Sequence, residues 1–471
     1  MRKITRQAWT LCLGVLALGF ASCSDDDNDD KLPDGMVAIS ANEISSAIDD
    51  YVGNVINPTY SDLRAAAVEL DNACSNLYAA KKNGSVSQTD IDAACTAFKK
   101  ARRFWEQSES FLYGAATNDH IDPHMDSWPL DQSQLAEALT SDAVIAGITG
   151  NNPGQYVYSS NSNFDSTMGF HGLEFVLFRN GANRTAAAFN NEMEDGEGLN
   201  LRGGDQTENE RLLKTVSTLH EAAFAAAVAK DLRNMTSLLE YEWNGSNSLQ
   251  TYLNSNAKWV IDGTRNNGKA FNLLNPEKDD DANSSNIGTK FTGTYNDVVK
   301  SISANNTTLF KTWNENLQNV FVGGCSNISQ EVYTQKLGQA YRVANNSSNG
   351  EDAGDYIESP YSQRSFQDYQ DNIYSIRNSL YGRRGIADNE NITPASGSIM
   401  SLMQKYYPEY NDLNAKLNAA INALETAKKG TPFIKNPASD NVKACIDAVH
   451  ALDDALNAAG TWCSRNIAIR Y

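Results

Sequence analysis

Residues 63–105 read LRAAAVELDNACSNLYAAKKNGSVSQTDIDAACTAFKKARRFW, and the spacing of their apolar positions decides the fold class. Leu63, Ala66, Ala67, Leu70, Cys74 and Leu77 recur at intervals of three and four. That period puts them on one face of an α-helix. Beyond Lys82-Asn83-Gly84-Ser85 the pattern returns in Ile91, Ala94, Cys95, Phe98 and Trp105. Two amphipathic helices across a short glycine turn make an antiparallel hairpin. Cys74 and Cys95 lie symmetrically about the turn, so their thiols would face each other at one level. In an exported protein they could be bridged, or they could be free thiols on an apolar seam. Cys445 and Cys463 are a weaker pair, and Cys325 is expected to be free.

Working outward, the chain closes on a second hairpin. Leu413, Leu417, Ile421 and Leu424 face Val442, Ile446, Val449, Leu452 and Leu456 across Gly430 to Pro437. Between the hairpins helical spacing dominates. It predicts helices over 132–148, from Thr207 through Leu232, over 309–321, over 330–344 and over 361–380. Ser40-x-x-Glu43 and Thr207-x-x-Glu210 read as capping boxes. No stretch shows repeated period-2 alternation with hairpin turns. The expectation is all-α, with two helical-bundle domains at 37–262 and 294–471. Residues 263–293 would be a linker or surface excursion. The two halves could be a distant duplication, although no register establishes one.

Arg2, Lys3 and Arg6 precede a mostly apolar run from Trp9 to Phe20, then Ala21-Ser22-Cys23. This is the layout of a secretory signal over 1–22, and the cysteine resembles a lipobox cysteine. Cys23 is therefore the expected lipidation site, tying the protein to a membrane by acyl chains. Residues 23–36, rich in aspartate, read as a flexible acidic tether. That tether also resembles the signal that sends some Gram-negative lipoproteins to the outer face of the outer membrane. Lys and Arg number 39 against 58 Asp and Glu, a net charge of −19. So acidic a chain lacks the basic face that phosphate binding needs, which argues against a nucleic-acid partner.

The chemistry concentrates at Gly169-Phe170-His171-Gly172-Leu173-Glu174. On a helix, positions three apart lie roughly 60° from each other, so His171 and Glu174 share a face. The pair could hold a divalent metal, grip a polar ligand, or simply satisfy its own hydrogen bonds. A loop over 116–130 adds His120, His124, Asp126 and Trp128, which could supply a further ligand or face solvent. Glu109 sits on an apolar-rich helix and could be buried or exposed. Ser362, Ser365 and Asp368 could line a pocket or cap a helix. A helical zinc protease needs histidines at i and i+4, and Phe175 stands at that place here.

Gly169-x-His171-x-x-Glu174 resembles the signature of the imelysin-like family, classed by name as M75 metallopeptidases. Trp105 to Gly114 (WEQSESFLYG) with Ser127-Trp128-Pro129 is similar to the family's first block. Glu358-Ser359-Pro360-Tyr361-Ser362, then Ser365, Asp368 and Asn372, is similar to its late block. Phe366 departs from that block, standing where many members carry histidine, and Gln363 and Arg364 replace an Asp-Asn pair. The resemblance implies two helical bundles with a candidate site at their junction, and an association with iron acquisition. It does not by itself establish catalysis. The expected reading is a surface lipoprotein that binds a metal, an iron-containing species or another ligand in a polar cleft between domains, with an iron-uptake or receptor partner. The lining would be Glu109, Trp128, His171 and Glu174 from one half, and Ser362, Ser365 and Asp368 from the other. His171 and Glu174 would orient each other. The alternative is a metal-dependent peptidase with His171 and Glu174 as ligands.

Overall fold

The hairpin of residues 63–105 is formed by α2 (Asn57–Lys82) and α3 (Gln88–Glu106), preceded by β1 (Val37–Ser40) and α1 (Ala41–Tyr51). A computed structural model describes residues 32–159, 167–196, 199, 206–263, 294–303, 308–385 and 390–471. The expected leader, Cys23, the aspartate run and residues 264–293 lie outside the described residues. Ser87 opens α3 with a reciprocal box: its hydroxyl accepts from Asp90 N–H at 3.3 Å, and Asp90 accepts from Ser87 N–H at 2.9 Å. Two of four free N–H groups are thereby satisfied. At α1 only half of the expected box exists. Ser40 accepts from Glu43 N–H, but the Glu43 carboxylate turns to Lys405 Nζ, 2.7 Å away.

The remaining elements that position the site follow in order. They are α4 (Ile121–Met125), α5 (Gln132–Thr140), α6 (Asp142–Ile148), α7 (Gly169–Leu177), the short ladder β2 (Phe178–Arg179) with β3 (Ala182–Asn183), and α8 (Thr218–Asn244). Then come α9 (Ser365–Tyr381), α10 (Tyr410–Lys428), α11 (Asp440–Asn466) and β4 (Ile467–Arg470). The expected helix 132–148 is two helices, because Ser141 turns extended and caps Val144 N–H. The helix expected to run on from Thr207 is also interrupted. It stops at Leu213, and α8 restarts under the Ser217 cap, where Thr218 Oγ1 donates to Asn191 O at 2.5 Å.

The fold is all-α, and both hairpins form. Helix α2 packs against both α8 and α3, while α10 and α11 pair and α9 packs on α10. One continuous apolar core runs from Ile39 to Ile467. Periodicity gave no sign of β1 and β4, which pair in parallel from Val37↔Ile467 to Ser40↔Arg470. Cys74, Cys95, Cys325, Cys445 and Cys463 are buried free thiols. The Cys74–Cys95 bridge that the sequence left open is therefore not made. Among the described residues no helix is long and apolar enough to cross a membrane.

Helix α9 is the unusual element. All 17 of its residues are buried, although most are polar. It reaches α3 and the turn after it on one side and α10 on the other. Burial is tolerated because partners are provided. Gln107 and Gln367 donate to Asp371 at 2.7 and 2.9 Å. Ser110 N–H donates to Ser375 Oγ at 3.1 Å, and Lys428 Nζ donates to Gln370 at 2.6 Å.

Candidate functional site

Helix α3 ends by placing Arg102 and Glu106 one turn apart, both essentially unexposed. Ser108 closes the helix, its hydroxyl donating to Trp105 O at 2.7 Å. A single 3-10 turn, Glu109–Phe111, follows and sets partly buried Glu109 beside Glu106. Asp126 arrives from the end of α4. Its Oδ2 accepts from Trp105 Nε1 at 2.8 Å, and its Oδ1 meets Arg102 Nη1 and lies 3.0 Å from His171 Nε2.

His171 reaches Asp126 because α7 begins at glycine. Gly169 has φ of +75°, and a Cβ there would lie 2.0 Å from Met125 O. At Gly172 a Cβ would lie 1.9 Å from Thr167 O. Only hydrogen fits either place: Gly169 seats α7 against the end of α4, and Gly172 seats it against the Thr167 carbonyl just before the helix. The Trp128 ring covers His171 with centroids 4.4 Å apart.

The second half of the chain supplies the other side. Glu174 Oε1 accepts from Ser362 N–H at 2.7 Å and from Ser362 Oγ at 2.6 Å. Ser359 donates to Asp368, and Ser365 Oγ donates to Glu358 O at 2.5 Å. Ser365 and Asp368 therefore do not cap α9, whose start has no side-chain cap. Asn372 Nδ2 donates to Glu106 Oε2 at 2.5 Å, and Lys336 Nζ lies 3.1 Å from Glu358. Arg102 sits at the centre. It pairs directly with Glu106 and Asp126, with Asp368 at 3.6 Å and Glu358 at 3.8 Å.

Burial sets the electrostatics and the fixed cations modify it. Burial alone would raise the Asp126 carboxyl, but Arg102 and then His171 hold it well below the usual carboxylate range. For Glu106 burial wins against Arg102 and Lys336, and its pKa is pushed well up. Burial likewise pushes Glu109 well up against Lys336. Glu174 is raised by burial and partly drawn back by the two Ser362 bonds.

Glu106, Glu109 and Asp126 each offer an oxygen within 4.8 Å of the others. Three converging carboxylates suit a hard divalent cation, and imidazole beside them widens the choice to iron, manganese or zinc.

Several expectations change at this point. His171 and Glu174 do not orient each other: the first turns to Asp126, the second to Ser362. The lining is not an open cleft, since His171, Glu174, Ser365 and Asp368 are at most 1% exposed. Ser362 bridges the gap that a cleft would need. The histidine loop is not one site either. His124 Nε2 lies 2.5 Å from Asp231 and His120 is exposed, whereas Asp126 and Trp128 both meet His171. Sequence reasoning passed over Arg102 and Glu106. The available signal was a charge pair at i and i+4 on the apolar stripe that carries Phe98 and Trp105.

The imelysin family profile (Peptidase_M75) matches residues 56–458. An iron-regulated protein A from Synechococcus elongatus is 28% identical over 167 residues, spanning 36% of this chain and 37% of that protein. The solved structure of an iron-regulated protein A precursor from Parabacteroides distasonis superposes with a TM-score of 0.59 at 21% identity. That match covers 90% of this chain and 96% of that one. An imelysin-like protein from Psychrobacter arcticus gives 0.50 at 11% identity, over 93% and 100% of the two chains. At these identities the structural matches speak for the fold alone. The profile, which spans most of the chain including the His171–Glu174 helix and the Glu358–Asp368 segment, decides the relationship: this protein is a member of the imelysin family.

Proposed function

We propose that the protein binds a divalent metal ion, ferrous iron in its working setting, at Glu106, Glu109 and Asp126, and serves iron uptake without cleaving peptides. The observation that carries this reading is the convergence of those three carboxylates beside His171. The charge balance supports it. Glu106, Glu109, Asp126, Glu358 and Asp368 crowd around two fixed cations, Arg102 and Lys336. An unpaired buried charge costs several kcal/mol, so the surplus favours either protons or a metal. The name of the Synechococcus relative points to iron. In this reading His171 is a fourth ligand, and Glu174 keeps a buried Oε2 without a hydrogen-bond partner for a further contact. Trp128, Ser362, Ser365 and Asp368 position rather than ligate. The lipobox-like Cys23 and the acidic run after it support an acyl anchor at the outer face of an outer membrane, beside an uptake or receptor partner.

The peptidase alternative has the family's name in its favour, but a histidine pair is what its chemistry asks for. His171 is the histidine at this cluster, and His124 is committed to Asp231. Calorimetric titration of chelator-stripped protein with Fe²⁺, kept anaerobic, and with Mn²⁺ tests the proposal. One equivalent should bind, and Glu109→Gln should weaken it about ten-fold. Folded protein that binds neither ion overturns it. Chelator-sensitive cleavage of a denatured protein would favour the peptidase.

A further inference from the structure

The candidate metal site already contains a cation. The Arg102 guanidinium pairs with Glu106 and Asp126, two of the three converging carboxylates. A divalent ion and a guanidinium cannot both take those oxygens at full strength, since each neutralises the same charge in a buried place. Arg102 is 1% exposed, so it cannot withdraw to solvent. It does have a second set of carboxylates within reach. Asp368 Oδ2 lies 3.6 Å from Nε and Glu358 Oε2 lies 3.8 Å from Nη2. Those separations are too long for hydrogen bonds and short enough for attraction. Glu358 is shared with Lys336 at 3.1 Å, but Asp368 has room for a further partner. Asp368 Oδ1 is fully buried without a hydrogen-bond partner, and so is Arg102 Nε.

We infer that Arg102 is a resident counter-ion with two berths, Glu106–Asp126 without metal and Glu358–Asp368 with it, so that metal entry moves its guanidinium. This inference rests on the proposed metal site and adds how that site is regulated. The metal supplies the differential: it binds only the arrangement in which Arg102 has left, and its affinity is reduced by what that transfer costs. The two berths also belong to different halves of the chain. Glu106 and Asp126 come from α3 and the end of α4, whereas Glu358 and Asp368 flank the segment that holds Glu174 through Ser362. Transfer would therefore tighten that segment against the first half. Ser359 and Gln363, non-glycine residues at φ of +49° and +56°, mark it as a segment held in place by its contacts.

Mn²⁺ titration of the full mature chain separates the possibilities, with thermal melting in chelator and in Mn²⁺ beside it. Arg102→Met removes the competitor and should raise Mn²⁺ affinity about ten-fold; Asp368→Asn spoils the second berth and should lower it by a similar factor. Arg102→Met should also melt lower in chelator and regain more from Mn²⁺ than the unaltered protein does, which a merely structural arginine would not produce. Should that variant fail to fold, Arg102→Lys carries the test, with a smaller rise because an ammonium lacks the two-pronged fork. Affinities that move in the same direction in both variants, or by less than about two-fold, overturn the inference and leave the metal site standing. Absence of Mn²⁺ binding in the unaltered protein and in Arg102→Met overturns both.

Discussion

Gly169 shows how much of this site hangs on one hydrogen atom. Its φ of +75° is open to glycine at little cost, and the Met125 carbonyl fills the space a methyl group would need. Gly169→Ala should therefore cost about 3 kcal/mol or more in urea unfolding, through strain and displacement of α7 together. A loss below about 1 kcal/mol would mean the helix start can shift freely, and the account of how His171 reaches Asp126 would fail. Ser362→Ala is a milder probe. Glu174 Oε1 keeps its bond from the Ser362 N–H and loses the hydroxyl, so about 1–2 kcal/mol is expected. Residues of this kind were half legible in the sequence. His171, Glu174 and the Ser362 segment stood out as polar residues in apolar or glycine-bearing runs. Arg102 did not, because periodicity sorts positions by face and says nothing about a charge that the face conceals.

Helices α2, α3, α10 and α11 could be read directly, since each has an apolar stripe of period 3.6 and a turn signal at its end. Helix α9 could be read as a helix but not as a buried one. Gln367, Gln370, Asp371 and Asn372 look solvated in sequence, and several of their partners lie far along the chain, as with Gln107 for Asp371 and Glu106 for Asn372. Its burial has a pH consequence. Burial raises the Asp371 carboxyl from 3.8 to about 6. The folded state then holds this proton more tightly than the unfolded state. Its contribution to stability is full below pH 4 and is lost as pH rises through about 6. Asp371→Asn should flatten that part of the stability profile, removing a decline of about 2 kcal/mol between pH 4 and 7. Identical slopes for the two proteins would show that Asp371 ionises in the fold as readily as out of it. In the α2–α3 hairpin, burial pushes the Cys95 thiol up to about 12 and Cys74 higher still. Neither should react with a maleimide until denaturant is added, and rapid labelling of the native protein would contradict the packing described.

At the scale of the whole molecule the chain ends where its described part begins. Residues 37–40 and 467–470 form one parallel pair, a contact no local pattern could announce across some 430 positions. Removing 467–471 should expose Ile39 and lower the melting temperature by several degrees, an effect of about 1–2 kcal/mol. The pairing also has a bearing on the proposed acyl anchor. Were Cys23 acylated as proposed, the contour from it to Val37 would be at most roughly 50 Å. The strand pair would then be tethered within that reach of the bilayer, and a fluorophore fused after Tyr471 should transfer energy to acceptor-labelled headgroups.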